Sequence, residues 1–378
     1  VKIAFVTDAY NYGRGGDVAT IRMAEGLKKR GHIITVVAAI SVQPERFFQV
    51  KGFYPPLTKE AFTKGDYIWG IAEKKVLRKA FADVDLIQVQ HPFVLGHGAV
   101  KVAKAMGRPV IGAFHAQPQN ILGMMGLEGR FKEYCLAKLF MFLMFNRVPF
   151  LQCPSQFAAN IMKKSGCKSA LRIISNGIPA EFVATQESRP EWFGNKLVLL
   201  SIGRFAPEKR QKLMIQGVKH SKYANQIQLL LCGQGADLEA LKALGAKLPV
   251  KPFIQHISDA DKLMYLNTAD LFLQASIVEL ESLSCLEAIG CGLPCLIANS
   301  RDSAAPQFAL DKRFLFTSDD VESLANKIDY WFENRVELKA YKQKALAMAK
   351  NYDMEKCLDK MEALYAEALQ HHRSHSSK

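Results

Sequence analysis

Short apolar and β-branched runs recur along the chain with amphipathic, helix-spaced segments between them, and this alternation limits the possible folds more than any other feature. KIAFVTD, HIITVVAA, DLIQVQH, RPVIGAFH, FLQCPS and LRIISNG follow one another in the first half. Strands separated by helical stretches predict βαβ units around a parallel sheet. Several of these runs end in a polar or small residue. Ligands of open α/β sheets gather at the carboxyl ends of strands, so functional groups are sought there.

At residues 175–196 the apolar periodicity lapses into SNGIPAEFVATQESRPEWFGNK, and LVLLSIG then begins a fresh strand. The pattern repeats with IQLLLCGQG, FIQHI, DLFLQAS and PCLIANS, separated by helical segments such as DADKLMYLNTA and LSCLEAIGCG. A chain of 378 residues is too long for one ordinary α/β core and suits two. The expected division is a Rossmann-like domain over 1–176, a linker over 177–195, a second Rossmann-like domain over 196–352, and a helix with a mobile polar tail over 353–378.

Hydrophobic residues make up 49% and charged residues 23% of the chain, which argues against extensive disorder. The net charge of +14 is unevenly spread: residues 1–190 hold 26 Lys and Arg against 13 Asp and Glu, residues 191–378 hold 24 against 23. A basic first half suits an anionic surface, either nucleic acid or lipid headgroups. The interleaved aromatic and basic motifs of common nucleic-acid modules are missing, so nucleic acid is not the expected partner. The eight cysteines fall singly in apolar segments, without a Cys-x-x-Cys pair, and read as thiols. The opening strand does not look like a secretory signal, and no run of about 18 apolar residues suggests a membrane span; a cytosolic setting is expected.

Within the first half, GRFKEYCLAKLFMFLMFNRVPF places Arg130, Lys132, Lys138 and Arg147 around an apolar stripe containing Phe140 and Phe142. That composition suits a helix lying in a membrane interface, with a buried helix against the sheet as the alternative. Lys74, Lys75, Arg78 and Lys79 in KKVLRKAF extend the expected membrane-facing set.

Four constellations carry possible chemistry. In YGRGGDVAT, Gly15 and Gly16 stand at a strand-to-helix turn where backbone N–H groups and a helix N-terminus favour phosphate, but the Gly-x-Gly-x-x-Gly spacing of a dinucleotide fingerprint is lacking. In GAFHAQP, His115 follows a strand; His91 and His97 stand nearby in sequence without a carboxylate at metal spacing, so no metal site is expected. In SIGRFAPEKRQ, Arg204 and Lys209 supply two cations able to hold a diphosphate as its charge grows on departure. In ELESLSCLEAIGCGLP, Glu279 and Glu287 stand eight positions apart, the second on a predicted helix, where carboxylates can take sugar and ribose hydroxyls and first-turn N–H groups face phosphate.

These motifs, in this order, resemble the retaining glycosyltransferases of the GT-B fold. More narrowly, GLKKRGH, LRKAF, HPFVLG, IGAFHAQP, CPSQF, LIANS, PQFALDKRFLF and KIDYWFEN resemble the bacterial lipid α-glucosyltransferases that act on diacylglycerol or cholesterol. The resemblance spans nearly the whole chain. It implies two Rossmann-like domains facing across a cleft, a C-terminal helix crossing back to the N-terminal domain, and transfer of a hexose, glucose first, from a UDP-sugar to a lipid hydroxyl. The enzyme would sit peripherally on the cytoplasmic face of the cell membrane and need no metal or other cofactor. A soluble sugar or envelope glycan precursor is the alternative acceptor, and a non-catalytic polyanion-binding protein a more distant one.

Residue by residue, the resemblance implies that Arg204 and Lys209 neutralise the diphosphate, Glu287 holds the ribose and Glu279 contacts the hexose. Ser282, Leu283 and Ser284 would offer backbone N–H groups, Gly233 and Ile257 would lie near the base, Gly16 near the phosphates, and His115 would approach the sugar. The departing phosphate oxygen would serve as base, because the sequence presents no convincing protein base. One departure stands out: many relatives carry Gly-Phe-Gly where this chain has Leu280, Glu281 and Ser282, and the extra carboxylate bears on which sugar is used.

Overall fold

The structure is a computed structural model that describes residues 1–13, 15–42, 44–54, 68–127 and 129–376. The chain divides into two units, one of residues 1–176 with the segment from Met354 onward, the other of residues 177–353.

The N-terminal unit is built on seven strands: β1 (Lys2–Val6), β2 (Ile33–Ala38), β3 (Phe47–Gln49), β4 (Leu86–Val89), β5 (Val110–Ala113), β6 (Phe150–Cys153) and β7 (Ala170–Ile173). They lie in the order β7-β6-β5-β4-β1-β2-β3, all parallel. Central strands buried on both faces need apolar residues at successive positions, which is why LIQV of β4 and VIGA of β5 are buried throughout. Chain direction across the sheet reverses between β1 and β4, whose registers align Val6 with Val89. The crevice beyond the carboxyl ends of two such strands is where this architecture binds ligands.

The C-terminal unit repeats the plan with β8 (Leu197–Ile202), β9 (Ile227–Cys232), β10 (Phe253–Gln255), β11 (Leu271–Gln274), β12 (Cys295–Asn299) and β13 (Leu315–Thr317). Their order is β10-β9-β8-β11-β12-β13, again parallel, with the reversal between β8 and β11.

Two expectations change. Residues 177–195 are no separate linker: Ile178, Phe182 and Phe193 are buried in the core of the C-terminal unit. The polar tail is not loose up to Ser376, because the last helix runs from Met354 to Ser376; its final two residues lie outside the described residues. That helix packs on the N-terminal unit through Leu358, Met361 and Tyr365, and Arg30 binds Glu355, Asp359 and Glu362 along it. Tyr365 also donates to Gln88 of β4 at 2.6 Å.

Candidate functional site

In the C-terminal unit the charged residues singled out from the sequence collect where the strand order reverses. Arg204 leaves the end of β8, half-buried, and pairs with Glu208 at 3.0 Å. Lys209 ends the following 3-10 turn and reaches Glu279 Oε1 at 2.5 Å. Glu279 lies in a two-residue strand, Val278–Glu279, that pairs with Asp302–Ser303, so the carboxylate is carried on fixed backbone beyond β11.

A short helix, α1 (Leu283–Gly290), starts next. Ser282 caps it, its Oγ accepting from the Cys285 N–H at 3.4 Å and from the Gln274 side chain at 2.6 Å. Ser282 has φ of 84°, in the left-handed region that favours glycine. Leu283 and Ser284 lie in the first turn, where a helix has no carbonyls to offer its own N–H groups. Glu281 is buried rather than displayed on the surface.

Glu287, also buried, faces inward from α1, and its Oε2 meets Lys262 Nζ at 2.8 Å. Lys262 stands on the helix Asp259–Thr268, whose start is set by Ser258 accepting from the Asp261 N–H. The same ammonium lies over the Phe182 ring, 4.9 Å from its centre. Lys262 was not singled out in the sequence; an ion-pair partner 25 positions away leaves no local spacing signal.

Gly233 follows β9. A Cβ there would stand 1.9 Å from the Gly203 carbonyl oxygen, so only glycine fits the approach of the two strand ends. Ile257, half-buried after β10, packs against the core that α1 helps to form.

In the N-terminal unit, Gly15 and Gly16 open a helix ending at Lys29. A Cβ on Gly16 would lie 3.4 Å from His115 Cβ and 3.8 Å from His91 Nε2, so these three residues share one place at the carboxyl ends of β1, β4 and β5. Burial, foremost, and the nearby His91 push the His115 imidazole down from its usual 6.5 to about 3. His115 is therefore neutral across the working pH range. Asp8, at the end of β1, joins this group through His91 and was missed in the sequence reading.

The expected membrane-facing residues divide. Lys74, Lys75, Arg78 and Lys79 are exposed on the helix Lys74–Phe81. On the helix Arg130–Leu143, Arg130, Lys132, Lys138 and Phe142 are exposed, but Phe140 is not. Phe140 is buried, edge-on to Phe93 at 5.7 Å, and belongs to the core. Exposed instead, and unpredicted, are Phe131 (79%), Tyr134 (58%) and Leu139 (47%). No helix among the described residues is long and apolar enough to cross a membrane, and none of their His, Cys, Asp and Glu groups is arranged to hold a metal ion.

Comparison with known proteins adds to this geometry. Residues 13–182 match the model for Glycosyltransferase Family 4 and residues 183–348 that for Glycosyl transferases group 1. The alpha-monoglucosyldiacylglycerol synthase of Streptococcus pneumoniae is 24% identical over 313 residues, 78% of this chain and 70% of that protein. The catalytic domain of cholesterol-alpha-glucosyltransferase from Helicobacter pylori is 39% identical over 41% of this chain and 99% of its own, with a TM-score of 0.38. Anabaena Alr3699/HepE, solved in complex with UDP-glucose, superposes over 97% of this chain and 99% of its own with a TM-score of 0.74 at 18% identity.

Proposed function

We propose that the chain, a glycosyltransferase of the GT-B fold, moves a hexose, glucose in our reading, from a UDP-sugar to the hydroxyl of a membrane lipid such as a sterol or diacylglycerol. The name of the pneumococcal relative supports a lipid acceptor, and the UDP-glucose bound by Alr3699/HepE supports the donor.

The observation that carries the lipid reading is the exposed face of the helix Arg130–Leu143, where Phe131, Tyr134, Leu139 and Phe142 stand in water among Arg130, Lys132 and Lys138. Burying a large apolar side chain is worth about 1.5–3 kcal/mol, and each basic residue near an anionic leaflet adds about 1 kcal/mol. Three or four such anchors with their cations suffice for reversible attachment without a spanning helix. In this reading the enzyme works peripherally on the cytoplasmic leaflet.

The donor is assigned to the C-terminal unit. Arg204 and Lys209 offset the charge of the diphosphate, the first-turn amides of Leu283 and Ser284 behind the Ser282 cap add partial positive charge, Glu287 takes the ribose hydroxyls, Glu279 the hexose, and Gly233 with Ile257 the base. Gly15, Gly16 and His115 form the reactive end of the N-terminal unit. The acceptor oxygen bonds to the anomeric carbon on the face from which UDP leaves, UDP departs with the electron pair, and the hydroxyl proton passes to the departing phosphate oxygen, so configuration is retained.

Incubation with UDP-glucose and other UDP-hexoses, a lipid extract containing sterol and diacylglycerol, and free sugars in parallel, followed by mass spectrometry and linkage analysis of products, tests this. An α-glucosyl lipid is expected. Products on free sugars alone overturn the lipid acceptor, and a hexose other than glucose overturns the donor.

A further inference from the structure

Between the end of β11 and the start of α1 a row of polar side chains interrupts an apolar core. Gln274 ends β11, Ser276 follows it, and Ser282 caps α1; all three are buried. Ser284, in the first turn of α1, is partly exposed. β11 lies between β8 and β12, where an apolar residue would serve the sheet as well as glutamine does. A buried amide there needs a reason, since burying polar groups costs free energy unless their hydrogen bonds are made.

The backbone fixes which way that amide faces. The Ser276 N–H, which can only donate, meets Gln274 Oε1 at 3.3 Å, and the Ser276 hydroxyl donates to the same oxygen at 2.8 Å. Nε2 therefore faces the other way, 2.6 Å from Ser282 Oγ and 3.5 Å from Ser284 Oγ, and an amide nitrogen can only donate to them. Ser282 Oγ also accepts the Cys285 N–H at 3.4 Å, so both its lone pairs are taken. Its own hydrogen is left for Ser284 Oγ, 3.4 Å away. That oxygen then accepts from Gln274 and from Ser282, and the Ser284 hydrogen has to turn away from both. Among the described residues no acceptor takes it.

We propose that Gln274 is a positioning residue of the donor site, which turns the Ser284 hydroxyl into a hydrogen-bond donor to the diphosphate of the UDP-sugar. A serine hydroxyl alone accepts as readily as it donates. By filling the acceptor sites of both serines, the amide removes the choice, and an anionic phosphate oxygen, which can only accept, is the partner that fits. The hydroxyl then adds to the first-turn N–H groups of Leu283 and Ser284, and its hydrogen bond strengthens as charge grows on the departing diphosphate.

This rests on the reading of the α1 N-terminus with Lys209 as the diphosphate site, so Lys209→Met is measured beside the other variants. UDP affinity is taken by calorimetry and uridine affinity by NMR titration; uridine lacks the phosphates and reports that each variant keeps its nucleoside site. Ser284→Ala and Gln274→Leu are each expected to lower UDP affinity about tenfold, the worth of one charge-assisted hydrogen bond, with uridine affinity within about twofold of wild type. In the double variant, Gln274→Leu is expected to cost less than about twofold beyond Ser284→Ala, because the hydroxyl that it directs is already gone. If Lys209→Met weakens UDP while Ser284→Ala and Gln274→Leu do not, the proposal is overturned and the diphosphate site stands. Losses that multiply in the double variant, or UDP and uridine affinities that fall together, also overturn it, since they show Gln274 acting on the fold alone. If Lys209→Met too leaves UDP affinity unchanged, the diphosphate site is misplaced and both readings fall.

Discussion

Lys209 donates to Glu279 across 2.5 Å, tying the loop after β8 to the short strand beyond β11 by an ion pair that is only 24% and 14% exposed. The cation is assigned to the diphosphate and the carboxylate to the hexose, so each holds the other in the orientation that its own task requires. Lys209→Met removes one cation and leaves Glu279 uncompensated. UDP affinity should fall about tenfold to a hundredfold, the worth of a charge-assisted hydrogen bond. Glu279→Gln keeps the cation, so UDP affinity should hold while kcat falls. The double variant should depart from additivity by about 0.5–3 kcal/mol in UDP binding by calorimetry; strictly additive losses would mean that the pair acts as two separate groups.

Gly16 and Gly233 should fail in opposite ways. A Cβ on Gly16 meets His115 at 3.4 Å, ordinary contact, whereas on Gly233 it meets a backbone oxygen at 1.9 Å. Gly16→Ala should keep its urea midpoint within about 0.5 kcal/mol of wild type while losing transfer, because it narrows the space beside His115. Gly233→Ala should lose about 3 kcal/mol or more of stability, since two strand ends must separate. Equal stability of the two variants would falsify the argument.

The two sheets were legible because parallel strands buried on both faces must be apolar at successive positions, and LVLLSI or IQLLLC leave little else to be. Strands β3 and β13, three residues each at sheet edges, were not among those runs, although the equally short edge strand β10 was. Glu279, Glu287, Arg204 and Lys209 could be named from their motifs, but not their partners: Lys209 with Glu279 spans 70 positions, and Asp8 with His91 spans 83. Such pairs are products of strand order, which brings the ends of β1 and β4 together. Phe140 was misplaced for a simpler reason. Residues two apart on a helix point about 200° from one another, so Phe140 and Phe142 cannot share a face, and composition does not say which one turns inward.

Ser282 combines a strained backbone with a useful side chain. Left-handed geometry costs a non-glycine residue about 1–2 kcal/mol, while its Oγ caps α1 and accepts from Gln274. Ser282→Ala keeps the strain and loses the cap, and should destabilise by about 1 kcal/mol. Ser282→Gly relieves the strain at a capping cost of a few tenths of a kcal/mol, and should be neutral or stabilising. Urea midpoints of the two variants on opposite sides of wild type are expected; if both are equally destabilised, the side chain rather than the backbone dominates.

Membrane attachment should separate into two components. Phe131→Ser with Phe142→Ser removes apolar anchors that are 79% and 66% exposed, so folding stability should hold while binding to vesicles of anionic and neutral lipid falls at every salt concentration. Lys74→Gln with Lys75→Gln, both exposed, should weaken binding at low salt and leave it nearly unchanged at about 0.5 M salt, where charges a few ångströms apart are already screened. Sedimentation with vesicles measures both, and wild type that ignores anionic vesicles at low salt would rule out the attachment.

His115 should impose a pH dependence on stability whose sign follows from its lowered affinity for a proton. The unfolded chain takes up a proton near 6.5, whereas the folded imidazole, desolvated and close to His91, holds none until about 3. Between those values the unfolded state binds more protons, so the contribution of His115 is complete above about 6.5 and is lost progressively as pH falls towards 3. His115→Asn lacks the titration. The stability of wild type minus that of the variant, from urea unfolding, should therefore decrease from pH 7.5 to pH 5. A difference that stays constant over this range would show that His115 protonates in the folded protein as it does in water, and with it would go the reading of His115 as a neutral partner beside His91.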